Sequence, residues 1–145
     1  MSTHDRNPGL AELAVLTGEW EMHTPQYPDS VGRAVFDWLE GGAFLREQQG
    51  VPGSSATWIF GSDDPSGDQT VLYYDSRGTT RVYASSLRDG TWRVWRDAPG
   101  FFQRFTGRVV EDGNRIDGAW ESAKDGVTWE HDFDLTYTRV GGRTA

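Results

Sequence analysis

One histidine, His131, lies in the most regular segment of the chain, and its residue type makes it the first candidate for chemistry. From Val127 to Thr138 apolar or aromatic side chains alternate with polar ones, which is typical of a strand with one buried face. His131 falls on the apolar face, whereas the patterns do not place His4 or His23 inside. An inward imidazole could act as a general base near neutral pH, ligate haem or a metal, or hydrogen-bond a core neighbour.

Charged residues form two further patterns. Residues 77–108 contain seven arginines and two aspartates, interleaved with aromatic residues. This combination could hold an anionic ligand, but we favour an outer face whose arginines pair with carboxylates of neighbouring strands. Glu130, Asp132 and Asp134 share one strand face, and we interpret them as a solvated surface rather than a cation site.

Several classes of function are excluded or disfavoured by composition and motifs. The 145-residue chain has no cysteine, which excludes disulfides, thiolate nucleophiles and cysteine-ligated metals. It contains no P-loop, GxSxG, HExxH or dinucleotide fingerprint. A net charge of −8 argues against a general nucleic-acid binder. With no signal-peptide pattern and no run of 18 apolar residues, we expect a cytoplasmic monomer or homodimer without a membrane partner.

A short helix is predicted near the N-terminus. Asn7 is a suitable N-cap, Pro8 occupies the favoured first helical position, and Leu10, Leu13 and Leu16 follow at helical spacing. At this length the helix is not stable alone, so we expect it to pack on a larger element.

The remainder of the chain predicts ten antiparallel strands. Glycine-containing turn signals recur every 10 to 13 residues between Gly78 and Gly126, and the segments between them are rich in Thr, Val, Trp, Tyr and Phe. We expect an all-β, ten-stranded up-and-down barrel with the helix across one end, because closure removes the sheet edges. A two-sheet sandwich is the alternative. We expect residues 1–6 to be disordered, 7–140 to form the single domain and 141–145 to be flexible.

An aromatic-lined interior cavity follows from this fold. A ten-stranded barrel encloses more space than an eight-stranded one, and strand alternation turns many aromatic residues inward. An apolar cavity with a few polar groups is the usual small-molecule site, although the aromatic residues could also fill the barrel completely. The predicted ligand-binding residues are Trp20, Met22, Phe36, Trp38, Tyr73, Gln103, Phe105, Trp120, Trp129, His131 and Phe133.

The chain also resembles a known group of barrels. Leu13–Leu16 followed by Gly18-Glu19-Trp20 resembles the helix-then-GxW start of calycins, which include lipocalins, fatty-acid-binding proteins and nitrobindins. Gly32–Leu45 and Ile116–Arg139 resemble a bacterial family of small lipocalin-like barrels. The nitrobindin likeness implies haem held by a histidine near the C-terminus, which would be His131. The later glycines of the nitrobindin GxWxGxG pattern are absent after Trp20, so we expect no cofactor and keep haem as an alternative.

Three functions follow as expectations. The leading one is a lipocalin-like barrel that binds a small apolar or aromatic molecule, with His131 and Gln103 orienting its polar atoms. The second is a barrel cyclase or isomerase of secondary metabolism that uses His131 as general base. The third is a nitrobindin-like haem protein with His131 as axial ligand.

Overall fold

Ten strands form one closed antiparallel barrel in the computed structural model, which describes residues 6–63 and 67–141. Each strand pairs with the next, and the first pairs with the last, so the predicted up-and-down barrel is confirmed and the sandwich is not formed. The expectations for residues 1–5 and 142–145 lie outside the described residues. The strands are β1 Gly18–His23, β2 Gly32–Leu39, β3 Phe44–Val51, β4 Ser54–Ser62, β5 Gln69–Asp75, β6 Thr80–Arg88, β7 Thr91–Arg96, β8 Phe102–Val110, β9 Arg115–Ala123 and β10 Glu130–Arg139.

The predicted N-terminal helix is present as a 3₁₀ helix, Pro8–Leu16. Its three leucines follow one another at intervals of three, which matches the three residues per turn of a 3₁₀ helix, and all three are fully buried. The Asn7 side chain caps the helix by accepting a hydrogen bond from the Gly9 amide at 2.9 Å. Two short 3₁₀ turns, Glu40–Gly42 and Glu111–Gly113, connect β2 to β3 and β8 to β9. None of the helices among the described residues has the length and apolar character needed to cross a membrane.

Arg139 fastens the helix to the end of the barrel that it covers. Its guanidinium donates hydrogen bonds to the carbonyl oxygens of Thr17 at 2.5 Å, Val15 at 2.6 Å and Gly113 at 3.0 Å. The same group stacks over the Trp20 ring at 4.0 Å, and Arg139 is opposite Trp20 in the β1–β10 pairing. A buried arginine thereby satisfies carbonyl oxygens where the helix meets β1.

Aromatic side chains fill the half of the barrel next to the helix. The Trp92 ring packs 5.2 Å from the Phe105 ring and 5.9 Å from the Phe36 ring. The Phe105 ring reaches this position because Gly107 and Gly118 leave room for it, since a Cβ atom at either glycine would lie within 3 Å of the ring. This end of the interior is therefore solid.

The predicted inward orientation of His131 is wrong, because a β-bulge interrupts β10. His131 is opposite Glu121, but Phe133 is opposite Trp120, so Asp132 is an extra residue in the strand. An extra residue reverses the alternation on one side of a bulge. His131 is exposed, and its Nε2 lies 2.9 Å from Asp134 Oδ1 on the outer surface.

Trp129 is also outside the barrel, where the alternating pattern had predicted an inward side chain. It precedes β10, and the Arg104 guanidinium stacks over its ring at 3.9 Å. Arg104 in turn donates to Glu121 at 2.7 Å, so these side chains form an outer-surface cluster. The alternation from Val127 to His131 therefore carries no information about the core, because this segment lies at the rim and beyond it.

Replacing Arg139 tests the attachment of the helix. We expect Arg139→Met to lower the free energy of unfolding by about 3 kcal/mol, because several buried carbonyl oxygens lose their donors. Urea denaturation provides the measurement, and Arg108→Met on the exposed outer face of β8 is the matched control. Equal effects of the two substitutions would contradict the role given to Arg139.

Candidate ligand-binding site

The half of the barrel away from the helix encloses a cavity of about 580 Å³. Loop residues Thr24, Tyr27 and Ser30, which follow β1, and Pro52, which follows β3, contribute to its lining. These loops lie at the strand ends opposite the helix, so the mouth of the cavity is at that end. The volume is within the usual range for small-molecule sites, and the barrel is not filled by its own aromatic residues.

Packed aromatic rings from strands on opposite sides of the barrel meet across the interior and form an aromatic wall of the cavity. The Trp58 ring is 4.6 Å from Tyr73, 5.0 Å from Tyr83 and 6.1 Å from Trp120, the last in a stacked arrangement. Phe105 continues this wall at 5.4 Å from Trp120. Such a surface favours flat or apolar ligands, since rings bury large areas in defined orientations.

A carboxyl group lies deep in the same cavity. Leu45, Glu47 and Gln49 alternate on the inner face of β3, and Glu47 is only 1% exposed. Glu47 Oε2 accepts a hydrogen bond from Gln49 Nε2 at 2.6 Å and another from the Tyr137 hydroxyl at 3.2 Å. Both donors approach the same oxygen, and Oε1 has no hydrogen-bond partner within residues 6–63 and 67–141.

Burial dominates the titration of this carboxyl group. It raises the pKa of Glu47 to about 7, although the hydrogen bonds from Gln49 and Tyr137 favour the charged form. Burial and the neighbouring carboxyl raise the pKa of Tyr137 well above its usual value, so its hydroxyl stays protonated. Glu47 can therefore change charge near neutral pH while its hydrogen-bond donors do not.

Polar groups nearer the mouth are held in place by their neighbours. The Tyr83 hydroxyl donates to Gln103 Oε1, and the Tyr73 hydroxyl donates to Asp75 Oδ2, each at 2.5 Å. Burial and the Asp75 carboxylate raise the pKa of Tyr73 to about 12. Arg81 also lines the cavity, with its guanidinium 5.9 Å from the centre of the Tyr73 ring.

Two lining residues carry buried polar atoms without a hydrogen-bond partner among the described residues: Trp58 Nε1 and Thr24 Oγ1. Buried polar atoms in native proteins are rarely left unpaired. Both atoms belong to residues of the cavity wall rather than to the solid end of the barrel.

The predicted site residues fall into three groups. Six of them line the cavity: Met22, Tyr73, Gln103, Phe105, Trp120 and Phe133. Trp20, Phe36 and Trp38 belong to the core but not to the lining. Trp129 and His131 lie outside, so His131 cannot orient a ligand in the cavity.

The position of His131 also removes the basis of both alternative functions. An axial haem ligand or a general base must face the cavity, and His131 faces solvent beside Asp134. His23 is exposed as well and lies 3.6 Å from Glu21. Within residues 6–63 and 67–141 no group of three or more His, Asp or Glu side chains could hold a metal ion. The described histidines therefore do not fit a haem ligand in this cavity.

Important lining residues were not identified from the sequence: Glu47, Gln49, Trp58, Tyr83, Trp92 and Tyr137. In β3 the inner face is mostly polar, so hydrophobic alternation cannot distinguish it from the outer face. In β4 the apolar residues Trp58, Ile59 and Phe60 are consecutive, which hides the inner positions. The alternation in the last strand does place Tyr137 on the apolar face, although Tyr137 was not among the predicted ligand-binding residues.

The chain matches no protein-family model and no curated protein sequence. Its structure is similar to the crystal structure of Rv2717c from M. tuberculosis, with a TM-score of 0.64. The similarity covers 94% of this chain and 99% of the other, at 16% sequence identity. At that identity the similarity establishes a shared barrel fold, which is consistent with the calycin-like resemblance.

The stability of the protein should report the charge state of Glu47. The carboxyl binds its proton more tightly in the folded state than in the unfolded state, so ionisation destabilises the fold as pH rises. Relative to Glu47→Gln, we expect wild-type protein to lose about 2 to 3 kcal/mol of unfolding free energy between pH 5 and pH 8. The loss of unfolding free energy relative to Glu47→Gln should be smallest at pH 5 and should level off above pH 7. Urea denaturation of both proteins at several pH values measures it, and a constant difference would contradict the raised pKa.

Proposed function

We propose that this protein binds a small, largely apolar or aromatic molecule in the cavity of the barrel. The observation that carries the proposal is a cavity of about 580 Å³ beside a wall of aromatic rings, in a barrel whose other half is solid. A cavity costs packing energy, so a barrel that fills one half and leaves the other open is suited to receive a ligand.

Binding would draw on two features of the lining. Burial of ligand surface against Trp58, Trp120 and Phe105 supplies the apolar contribution, at roughly 25 cal/mol per Å² before ordering costs. Gln103 and the deep Glu47 supply polar contacts that fix orientation. The cyclase or isomerase alternative loses His131 as its base, and Glu47 is the group of the described cavity that titrates near neutral pH.

Filling the cavity tests this proposal. The uncharged fluorescent probe N-phenyl-1-naphthylamine should bind wild-type protein with enhanced emission, and Met22→Trp should weaken binding by about tenfold or more because the new ring occupies the cavity. Val35→Trp adds the same ring to the exposed face of β2 and serves as the matched control. The proposal fails if the probe does not bind, or if both variants bind it equally while remaining folded.

Removing His131 should leave probe binding unchanged. The imidazole lies in hydrogen-bond contact with Asp134 on the exposed outer surface, and such exposed pairs contribute about 1 kcal/mol or less to stability. We expect His131→Ala to bind N-phenyl-1-naphthylamine within about twofold of wild type and to unfold at nearly the same urea concentration. A large loss of affinity would place His131 in the site after all.

A further inference from the structure

We propose that the ligand carries a protonated amine that pairs with Glu47 at the bottom of the cavity, while its apolar body lies against the aromatic wall. This inference rests on the proposed function and specifies its ligand class: a flat or apolar organic cation. Within residues 6–63 and 67–141, Glu47 lines the cavity, is almost completely buried and pairs with no arginine, lysine or histidine.

The hydrogen bonds of Glu47 leave one oxygen available for such a ligand. Gln49 and Tyr137 both donate to Oε2, which orients the carboxyl group from two sides. Oε1 has no described partner, so an ammonium group can donate to it without displacing either existing bond. A charge-assisted hydrogen bond of this kind is about twice as strong as one between neutral groups.

The surroundings of Glu47 also favour a cation. Trp58 is its cross-strand partner on β4, and Phe36 is its partner on β2. Tyr137 from β10 donates to the carboxyl, and its ring stands 6.0 Å from Trp92. Aromatic rings attract cations through their negative faces, and a buried carboxylate with no cation beside it gains most from receiving one.

Two other charged groups lie near the cavity: Arg81, which lines it, and Asp75, which accepts a hydrogen bond from the lining residue Tyr73. Arg81 is on β6, three strands away from β3, and its guanidinium stacks 5.1 Å from the centre of the Phe101 ring beyond the end of β7. Asp75 bonds to Tyr73 and Arg77, which hold its pKa well below the usual range. Asp75 therefore stays charged between pH 6 and pH 8, and the raised pKa values keep Tyr73, Tyr83 and Tyr137 neutral. Among the described residues that line the cavity, Glu47 is therefore the one whose ionisation can make ligand binding depend on pH.

Three probes that share a naphthalene ring but differ in charge test which ligand charge the cavity prefers. We would measure by calorimetry the binding of 1-naphthylmethylamine, which is protonated, of neutral 1-naphthylmethanol and of anionic 1-naphthylacetate. At pH 8 we expect wild-type protein to bind the amine about tenfold more tightly than the alcohol. Glu47→Gln should remove this preference, so that the variant binds the amine and the alcohol with affinities within about threefold of each other.

The pH dependence supplies a second readout that a merely structural role of Glu47 would not produce. Binding to the ionised carboxyl group should strengthen about tenfold from pH 6 to pH 8, because the ionised fraction rises through a pKa of about 7. At pH 6, binding of the amine to wild-type protein should release about one proton, detectable as a dependence of the heat on the buffer. Glu47→Gln should show neither effect.

The outcomes distinguish this inference from the proposed function. If the protein binds N-phenyl-1-naphthylamine but does not bind 1-naphthylmethylamine more tightly than 1-naphthylmethanol, the inference of a cationic ligand is wrong. The proposed binding of apolar molecules in the cavity then still stands. If 1-naphthylacetate binds best and Arg81→Gln removes that preference, the recognised charge is negative and the inference is overturned. If neither the neutral probe nor any naphthyl compound binds, both proposals fail.

Discussion

Closure of the barrel by the pairing of β1 with β10 is the constraint on which the rest of the structure depends. It joins strands more than a hundred residues apart in sequence and encloses one interior within ten sequentially paired strands. Arg139 stands at this seam, opposite Trp20, and its hydrogen bonds hold the N-terminal helix over the adjacent opening. The helix, the first strand and the last strand all meet at this seam. The contacts that close the sheet therefore also hold the helix over the adjacent end of the barrel.

The sealed end determines where a cavity can exist. Three leucines of the helix and the rings of Trp20 and Phe36 occupy the interior next to it, packed against other buried side chains. Farther along the strands the Trp58 ring of β4 stacks on the Trp120 ring of β9 across the interior, and the Tyr83 ring packs against both. The solid half supports the walls of the hollow half, since side chains fixed by packing hold their orientation without a ligand.

The fold was predictable because its signals are local, whereas the site was only partly so. Hairpin turns at regular intervals and apolar alternation define ten strands without knowledge of their partners. Alternation also placed Trp20, Phe105 and Trp120 inside, where burial demands it. Alternation gave the wrong face for His131, because the bulge in β10 arises from its pairing with β9 and cannot be read from one strand alone. In addition, a polar side chain at the rim of the barrel can point to solvent without leaving an apolar group exposed. In β3 the inner face holds the polar residues Glu47 and Gln49, so hydrophobic alternation did not reveal that these two residues line the cavity.

The inward position of Glu47 cannot be detected from the pattern of hydrophobic residues in the sequence. A charged residue among aromatic ones normally indicates an outer face. Burying an unpaired carboxylate costs more free energy than the hydrogen bonds from a tyrosine and an amide recover. Here the protein meets that cost by letting the carboxyl group keep its proton to about pH 7, with its donors gathered on one oxygen. β3, which also carries Arg46, Gln48 and Gln49, thus supplies the buried carboxyl group of the cavity. Its inward position follows from the register with Phe36 and Trp58, which becomes visible only once the barrel is closed.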